Sequence, residues 1–324
     1  MEIVAADIGG THARFALAEI ADGRVVHLGK AVTLKCADHA SLALAWARFA
    51  DILGRPPPRA IAIAIACPVG GNVLKLTNNP WIIRQSEIGE TLHVERWRVI
   101  NDFGAVAHAV AHLGEDQFVP VAGPRHPLPC EGVISIVGPG TGLGIGHVLR
   151  SRAHYHVLES EGGHIDFAPL DALDDRILGI LRQRYSRVSV ERLVSGPGLA
   201  NLYEALAVIE GKAVAKVDDK TLWKAALDGS DALAAAAFDR FCLCLGAVCG
   251  DVALMLGAKT IVIGGGIGPR IAPFLLQSGF AARFTAKGRF TTLMADIPVC
   301  CIIHPQPGLY GAAAAFAIDH PNDH

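Results

Sequence analysis

Two glycine-rich loops each follow an apolar run and have the composition of phosphate-binding loops. The first is Asp7-Ile8-Gly9-Gly10-Thr11 after Glu2–Ala6, and the second is Gly140-Thr141-Gly142-Leu143-Gly144 after Val133–Val137. Glycine lets the backbone approach a ligand closely, so that N–H groups can point at phosphate oxygens. Glycine hairpins also form plain tight turns, but the presence of two such loops, each with a threonine, favours phosphate binding.

Four polar side chains accompany these loops. Asp7 can hold Mg²⁺ through water beside bound phosphates, or it can simply cap a turn. Thr11 and Thr141 can donate hydroxyl groups to phosphate oxygens or to their own turns. Arg14 is interpreted as a surface or lobe-bridging charge. The lysine of a P-loop and a complete G-x-G-x-x-G after a strand are both missing, so neither a P-loop NTPase nor a Rossmann dehydrogenase is favoured.

A second group of polar residues begins where a strand runs into a helix at Asn101 and Asp102. Phosphoryl transfer to an alcohol needs a carboxylate within hydrogen-bond reach of the attacking hydroxyl, and Asp102 is the candidate general base. The alternative is that Asp102 caps a helix predicted to begin near Ala105.

Further polar residues with the inventory of a polyol site follow. Glu161, His164, Asp166 and Glu191 carry side chains that can bind several hydroxyl groups. The E-x-x-H spacing is also compatible with a metal site, but its two glycines disfavour the helix that such a site would use. The polar loop Thr77–Trp81 can close over a sugar or form an ordinary turn.

The elements that position these residues alternate between strands and helices. A third strand, Thr260–Ile263, ends in the glycine turn Gly264–Gly266 and precedes a helix. Helices are predicted over Ser41–Leu53, Ala105–Leu113, Asp174–Tyr185 and Leu233–Leu256. This mixture predicts an α/β protein.

The repeated strand, loop and strand pattern predicts two lobes built on one plan. We expect a small lobe over 1–112 plus 305–324 and a large lobe over 113–304. The tail Gly308–Ile318 is predicted to be a helix that packs on the first lobe.

Composition narrows the possible functions. A net charge of -2 with no cluster of Lys or Arg disfavours nucleic-acid binding. The apolar runs are shorter than the roughly 20 residues of a membrane span, and the N-terminus has no basic leader, so we expect a soluble, cytoplasmic protein. The eight cysteines contain no C-x-x-C pair, which disfavours a metal or disulfide framework. Cys242 and Cys249 are interpreted as buried small hydrophobes.

Taken in order, the motifs resemble the bacterial glucokinase family almost from end to end. They are Asp7-Ile8-Gly9-Gly10-Thr11, Ile100-Asn101-Asp102-Phe103, Gly140-Thr141-Gly142-Leu143-Gly144, Glu161-Gly162-Gly163-His164 and Ser195-Gly196-Pro197-Gly198. The resemblance implies an ATP-dependent glucokinase that phosphorylates the C6 hydroxyl of glucose at the start of glycolysis. It also implies a two-lobed actin-like ATPase fold, ribonuclease-H-like, with the active site in the interlobe cleft, often in a homodimer.

The resemblance further implies roles for individual residues. Asp102 is the catalytic base, and the sugar contacts are Asn101, Asp102, Glu161, His164 and Glu191. ATP contacts fall on Ala6, Asp7, Ile8, Gly9, Gly10, Thr11, Gly140, Thr141, Gly142 and Gly265. Asp7 is the Mg²⁺ residue, acting through water. The related repressor-kinase group often has a Cys-rich zinc motif that this chain lacks, so no structural zinc is expected.

Three alternatives stay open at this point. A kinase of the same fold can act on fructose, mannose or an amino sugar, since few loop contacts decide the hydroxyl pattern. A sugar-sensing regulator that binds DNA is disfavoured because no basic region is found, but a sensor that recruits a partner stays open. An ATPase of the chaperone or filament type is disfavoured because Asn101, Asp102 and the Glu161–His164 group suit a polyol better than a protein client.

Overall fold

The computed structural model describes residues 1–76, 79–152, 154–214 and 217–320, and Thr77 and Asn78 of the predicted polar loop therefore lie outside the described residues. The strands are β1 (Glu2–Ile8), β2 (His12–Ala21), β3 (Arg24–Leu28), β4 (Val32–Lys35), β5 (Ala60–Ile65), β6 (Val73–Lys75), β7 (Ile82–Arg84), β8 (Arg96–Asn101), β9 (Phe118–Ala122), β10 (Glu131–Pro139), β11 (Leu143–Ser151), β12 (His154–Ser160), β13 (Thr260–Ile263) and β14 (Val299–Ile302). The α-helices are α1 (Leu42–Leu53), α2 (Ile88–Leu92), α3 (Asp102–His112), α4 (Ala172–Arg184), α5 (Gly196–Ile209), α6 (Asp219–Asp228), α7 (Ala232–Leu256), α8 (Gly268–Leu275), α9 (Phe280–Thr285), α10 (Thr291–Ala295) and α11 (Pro307–Asp319).

The chain divides into two compact units. The first unit contains Met1–Gly114, Val157–Glu159 and His304–His324, and the second contains Glu115–His156 and Ser160–Ile303. The sequence did not predict that the short segment Val157–Glu159, in the middle of β12, belongs to the first unit.

The sheet of the first unit has the order β3-β2-β1-β5-β8, and β4 also pairs with β2. β1 is antiparallel to β2 and parallel to β5, which is parallel to β8. Successive residues of β1 enter different cores, with Val4 and Ala6 on one face and Ile3 and Ala5 on the other, as expected for a central strand. Helices α3 and α11 pack closely at Gly311, where a Cβ would collide with the backbone of Ala105.

The sheet of the second unit repeats this plan in the order β12-β11-β10-β13-β14-β9. β10 is antiparallel to β11 and parallel to β13, which is parallel to β14. Each unit therefore has a central strand that begins an antiparallel hairpin on one side and has parallel neighbours on the other. The two mixed sheets with their helices confirm the predicted α/β class.

Helix α7 forms the centre of the core of the second unit. It is long and apolar enough to cross a membrane by length and composition alone, but 67% of its most apolar window is buried within the fold. Cys242 and Cys249 lie on this helix and are fully buried, as predicted. Burial of this extent is typical of the core helix of a soluble protein.

Candidate active site

The first glycine loop connects β1 to β2 and is held by its own backbone and by two neighbouring side chains. The amide of Gly9 donates to the carbonyl of His12 at 2.9 Å, and the amide of Cys36 donates to the carbonyl of Thr11 at 2.9 Å. The carbonyl of Gly9 accepts from Asn79 Nδ2 at 3.4 Å and from Cys36 Sγ at 3.5 Å. These bonds fix the path of the backbone that the predicted phosphate contacts require.

Asp7 lies at the end of β1, directly opposite Arg14 of β2. Arg14 Nη1 contacts Asp7 Oδ2 at 3.0 Å, and the Arg14 side chain remains 37% exposed, so this surface charge is paired with Asp7. Burial raises the pKa of the Asp7 carboxyl, while the adjacent guanidinium acts in the opposite direction. The carboxylate also lies against Gly308, in the first turn of α11, where a helix N-terminus favours negative charge.

The donor set around Asp7 fits a magnesium ion that arrives with a nucleotide better than one held by the protein alone. Within the described ranges, the structure contains no group of three or more His, Cys, Asp or Glu side chains that could hold a metal ion. Mg²⁺ commonly keeps several waters and takes one or two carboxylates plus substrate phosphates. Asp7 retains 21% side-chain exposure, which is compatible with a contact through water.

Helix α3 begins at Asp102, three residues earlier than predicted, and Asn101 is its N-cap. Asn101 Oδ1 accepts from the amides of Phe103 at 2.8 Å and Gly104 at 3.2 Å, and Asn101 Nδ2 donates to the carbonyl of Cys67 at 3.4 Å. Asn101 occupies the N-cap position, so the alternative that Asp102 is the N-cap is wrong, although Asp102 Oδ1 also accepts from the amide of Phe103 at 2.9 Å. Asp102 occupies the first helical position and is half-buried.

Register across three parallel strands places the first loop and Asp102 at the same edge of the sheet. Ile8 lies beside Ile65, and Ile65 lies beside Asn101. Neighbouring strands are about 4.8 Å apart, so the ends of β1 and β8 are separated by about 10 Å. Ligands of α/β proteins bind outside the carboxyl ends of parallel strands, which is this edge.

The polar loop after β6 has a structural role in its described part. Trp81 is 2% exposed and its Nε1 donates to the carbonyl of His39 at 2.8 Å, so its ring belongs to the core. Asn79 Oδ1 accepts from the amide of Trp81 at 2.9 Å while Nδ2 contacts the carbonyl of Gly9. The proposal that Trp81 helps to close over a sugar is wrong, since this side chain faces the interior.

The second glycine loop connects β10 to β11 and is braced from two sides. The amide of Gly140 donates to the carbonyl of Gly142 at 2.8 Å, and the carbonyl of Gly140 accepts from Gly196 at 2.7 Å. Glu191 Oε2 accepts from the amide of Leu143 at 2.8 Å. Glu191, predicted only as a sugar contact, therefore also holds the hairpin.

The turn Gly264–Gly266 packs against the same hairpin. Gly265 has a φ of +71°, and a Cβ there would lie 2.5 Å from the carbonyl oxygen of Pro139. Only glycine combines this backbone conformation with this close approach. The second unit thus gathers Gly140, Thr141, Gly142 and Gly265 around one backbone turn.

The segment Glu161–His164 contains a one-turn 3-10 helix over Gly162–His164. Gly163 is required because a Cβ would collide with the carbonyl of Leu143, so this turn packs directly on the start of β11. Arg187 donates to the carbonyl of His164 at 2.7 and 2.6 Å and to Asp166 Oδ1 at 2.8 Å. The side chains of Glu161 and His164 are exposed. Arg187 was missed because no local pattern marks a guanidinium that binds a carbonyl 23 residues away.

Fold and site together define the class of protein. Each unit presents a glycine hairpin and carboxylate side chains, and the first adds the amide of Asn101 while the second adds the imidazole of His164. These groups suit a phosphate group and a polyol. This combination is that of an α/β enzyme that phosphorylates a sugar.

Comparison with known proteins gives the family. The family model "Glucokinase" matches residues 4–318. A glucokinase of Zymomonas mobilis subsp. mobilis is 60% identical over 317 residues, which cover 98% of this chain and 98% of the relative. A glucokinase of Paramagnetospirillum magneticum is 40% identical, covering 96% of each chain. The chain belongs to the glucokinase family.

Solved structures agree with this assignment. The crystal structure of glucokinase from an Antarctic psychrotroph is 35% identical, covers 97% of this chain and 98% of its own, and has a TM-score of 0.83. A ROK family glucokinase from Streptomyces griseus, solved in complex with glucose and AMPPNP, is 19% identical with a TM-score of 0.65, covering 97% of this chain and 99% of its own. At that identity the second likeness concerns the fold alone.

Proposed function

We propose that the protein transfers the γ-phosphoryl group of Mg-ATP to the C6 hydroxyl of glucose, with Asp102 as the general base. Membership of the glucokinase family supports the reaction class. The observation that carries the role of Asp102 is its position directly after β8, since Ile8 lies beside Ile65 and Ile65 lies beside Asn101 at one edge of the sheet. A carboxylate at the edge of the sheet that also carries the first phosphate loop is suitably placed to accept a hydroxyl proton.

Glucose is bound by Asn101, Asp102, Glu161, His164 and Glu191 in this proposal. Their amide, carboxylate and imidazole groups match hydroxyls that both donate and accept. Asn101 serves mainly to position its neighbour, since its Oδ1 is engaged by two backbone amides. Glu191 has a second carboxylate oxygen besides the one that holds Leu143, so one side chain can serve both sugar and hairpin.

ATP is bound by the two glycine loops, which comprise Ala6, Asp7, Ile8, Gly9, Gly10, Thr11, Gly140, Thr141 and Gly142, while Gly265 lies beside the adenosine. Asp7 orients the water shell of the magnesium ion that accompanies the nucleotide. When bound there, Mg²⁺ would neutralise charge on the phosphoryl oxygens. Asp102 takes the C6 proton as the oxygen attacks in line, and loop amides stabilise the transferring group.

The cellular setting follows from the same family resemblance. The enzyme acts in the cytoplasm as a homodimer and provides glucose 6-phosphate in the first step of glycolysis. The extensive burial of α7 supports a soluble protein rather than a membrane-anchored one.

The test is the variant Asp102→Asn, which keeps the size of the side chain and removes the base. Loss of a general base costs roughly 10²–10⁴-fold in turnover, and glucose binding is expected to be largely preserved. Asp116→Asn, at an exposed position in the second unit, is the matched control with unchanged turnover. Normal turnover in Asp102→Asn would overturn the assignment.

Substrate choice is measured as ADP release from Mg-ATP without sugar and with glucose, fructose, mannose or N-acetylglucosamine. Turnover with glucose well above the others supports the proposal. A different preferred sugar would move the specificity within the family. Sugar-independent hydrolysis would contradict the reaction proposed here.

A further inference from the structure

Glu159, a residue outside the motifs, contacts the backbone at the start of helix α3. Its Oε1 accepts a hydrogen bond from the amide of Asn101 at 3.1 Å. Both residues belong to the first unit, although Glu159 is 58 positions away along the chain. The contact concerns the residue immediately before Asp102.

This contact compensates for the position of β8 at the edge of its sheet. β8 is the last strand in the order β3-β2-β1-β5-β8, so N–H groups on its outer side have no further strand in that sheet to bind. The bond is exposed to solvent, and its acceptor is a carboxylate, which binds an amide more strongly than a neutral acceptor does. Glu159 provides this carboxylate at Asn101.

Gly104 is the residue against which the carboxylate of Glu159 packs. The nearest atoms that a Cβ on Gly104 would meet all belong to the carboxyl end of Glu159. Gly104 lies in the first turn of α3, where most residues would favour the helix more than glycine does. The glycine thus leaves room for the side chain of Glu159.

The residue before Asp102 is therefore fixed by several contacts. Asn101 is held by Glu159 through its N–H, by Phe103 and Gly104 through Oδ1, and by Cys67 through Nδ2. We propose that Glu159 is a positioning residue for the reaction, which fixes the backbone that carries Asp102. This inference rests on the proposed role of Asp102 as general base.

Two variants of the full-length protein test the role of Glu159. Glu159→Ala removes both acceptor and charge, and we expect kcat to fall about tenfold, the lower end for a bond to a charged acceptor, with the Kd for glucose within about threefold. Glu159→Gln keeps an acceptor oxygen, so kcat recovers to within about threefold of the wild type.

Glu131→Gln is the matched control, because Glu131 is an exposed strand glutamate whose carboxylate pairs with Arg152. Its kcat remains that of the wild type. Amide hydrogen exchange at Asn101 reports directly whether the contact is lost in each variant. Wild-type kcat in Glu159→Ala together with fast exchange at Asn101 would overturn the inference, as would a Glu159→Gln variant as slow as Glu159→Ala.

Gly104→Ala tests the same contact without changing Glu159. The added Cβ displaces the flexible end of the glutamate and leaves the helix intact, so kcat falls as in Glu159→Ala. In the double variant Gly104→Ala/Glu159→Ala the two losses are not additive, since both remove one contact. Additive losses would contradict the inference. Failure of the proposed function would instead appear as wild-type protein that does not phosphorylate glucose.

Discussion

The bond between Glu191 and the second glycine loop gives a test of how the proposed phosphate contacts are positioned. A Cβ on Gly142 would lie 3.2 Å from Cδ of Glu191 and closer still to Oε2, the atom that accepts from Leu143. Gly142 does not have a positive φ, so alanine brings no backbone strain there. In Gly142→Ala the carboxylate must move and the bond to Leu143 is lost.

The magnitude follows from the bond that is broken. A hydrogen bond to a charged group contributes about 1.5–3 kcal/mol net, and about 1.4 kcal/mol corresponds to tenfold in an equilibrium constant. The bond is only partly buried, so we expect the lower end, a KM for ATP raised about tenfold. The KM for glucose should change less, because the displaced carboxylate keeps its charge near the site.

The assay is ADP release at saturating glucose over a range of Mg-ATP concentrations, with binding of a non-hydrolysable ATP analogue measured in parallel. Gly179→Ala is the control, since Gly179 lies in α4 of the same unit and a Cβ there meets nothing within 4 Å. It should leave both KM values unchanged and raise stability by up to about 1 kcal/mol through helix propensity. A KM for ATP within twofold of the wild type in Gly142→Ala would refute the role given to Glu191 in holding the loop.

Two predictions concern stability. Burial, and to a lesser extent the charge on His112, lower the pKa of His108 from 6.5 to about 4. The unfolded chain therefore binds more protons than the folded one between these pH values. The free energy of unfolding falls by at most about 3 kcal/mol as the pH falls from 6.5 towards 4. Urea unfolding at pH 7 and 4.5 should therefore show a smaller acid loss in His108→Gln, and equal losses would contradict this. The side chain of Asp174 is 1% exposed and bridges Arg240 and Arg283. Asp174→Ala should therefore lower the free energy of unfolding by about 3 kcal/mol with kcat unchanged. A loss under 1 kcal/mol in the same urea assay would show that the cluster tolerates the absence of Asp174.

Many of the strands and helices were predictable because they depend on local sequence patterns. The apolar runs before the glycine loops became β1 and β10, and the tail predicted over Gly308–Ile318 became α11. The predicted helix over Ser41–Leu53 formed as α1, with Ser41 as its cap. Period and capping chemistry are carried by adjacent residues, so a single sequence contains them.

The contacts that hold the site were not predictable in the same way. Arg14 pairs with Asp7 because β1 and β2 are in register, and Arg187 binds the carbonyl of His164 from the far side of α4 in the sequence. Glu191 holds Leu143 over 48 positions and Glu159 holds Asn101 over 58. Such pairs depend on where the fold brings the backbone. An isolated Glu or Arg between motifs carries no local sign of its partner.

The glycines of the site illustrate how one residue type can serve two physical purposes. Gly265 is required by a positive φ, which is the property usually inferred from a glycine in a loop. Gly104, Gly142 and Gly308 do not have a positive φ, and at each the space of a missing Cβ is next to a carboxylate, that of Glu159, Glu191 or Asp7. Gly104 and Gly142 let Glu159 and Glu191 bind backbone amides, and Gly308 leaves room for the carboxylate of Asp7. Alanine at such a position is therefore expected to impair function while the backbone conformation stays allowed, a result that strain at a turn would not produce.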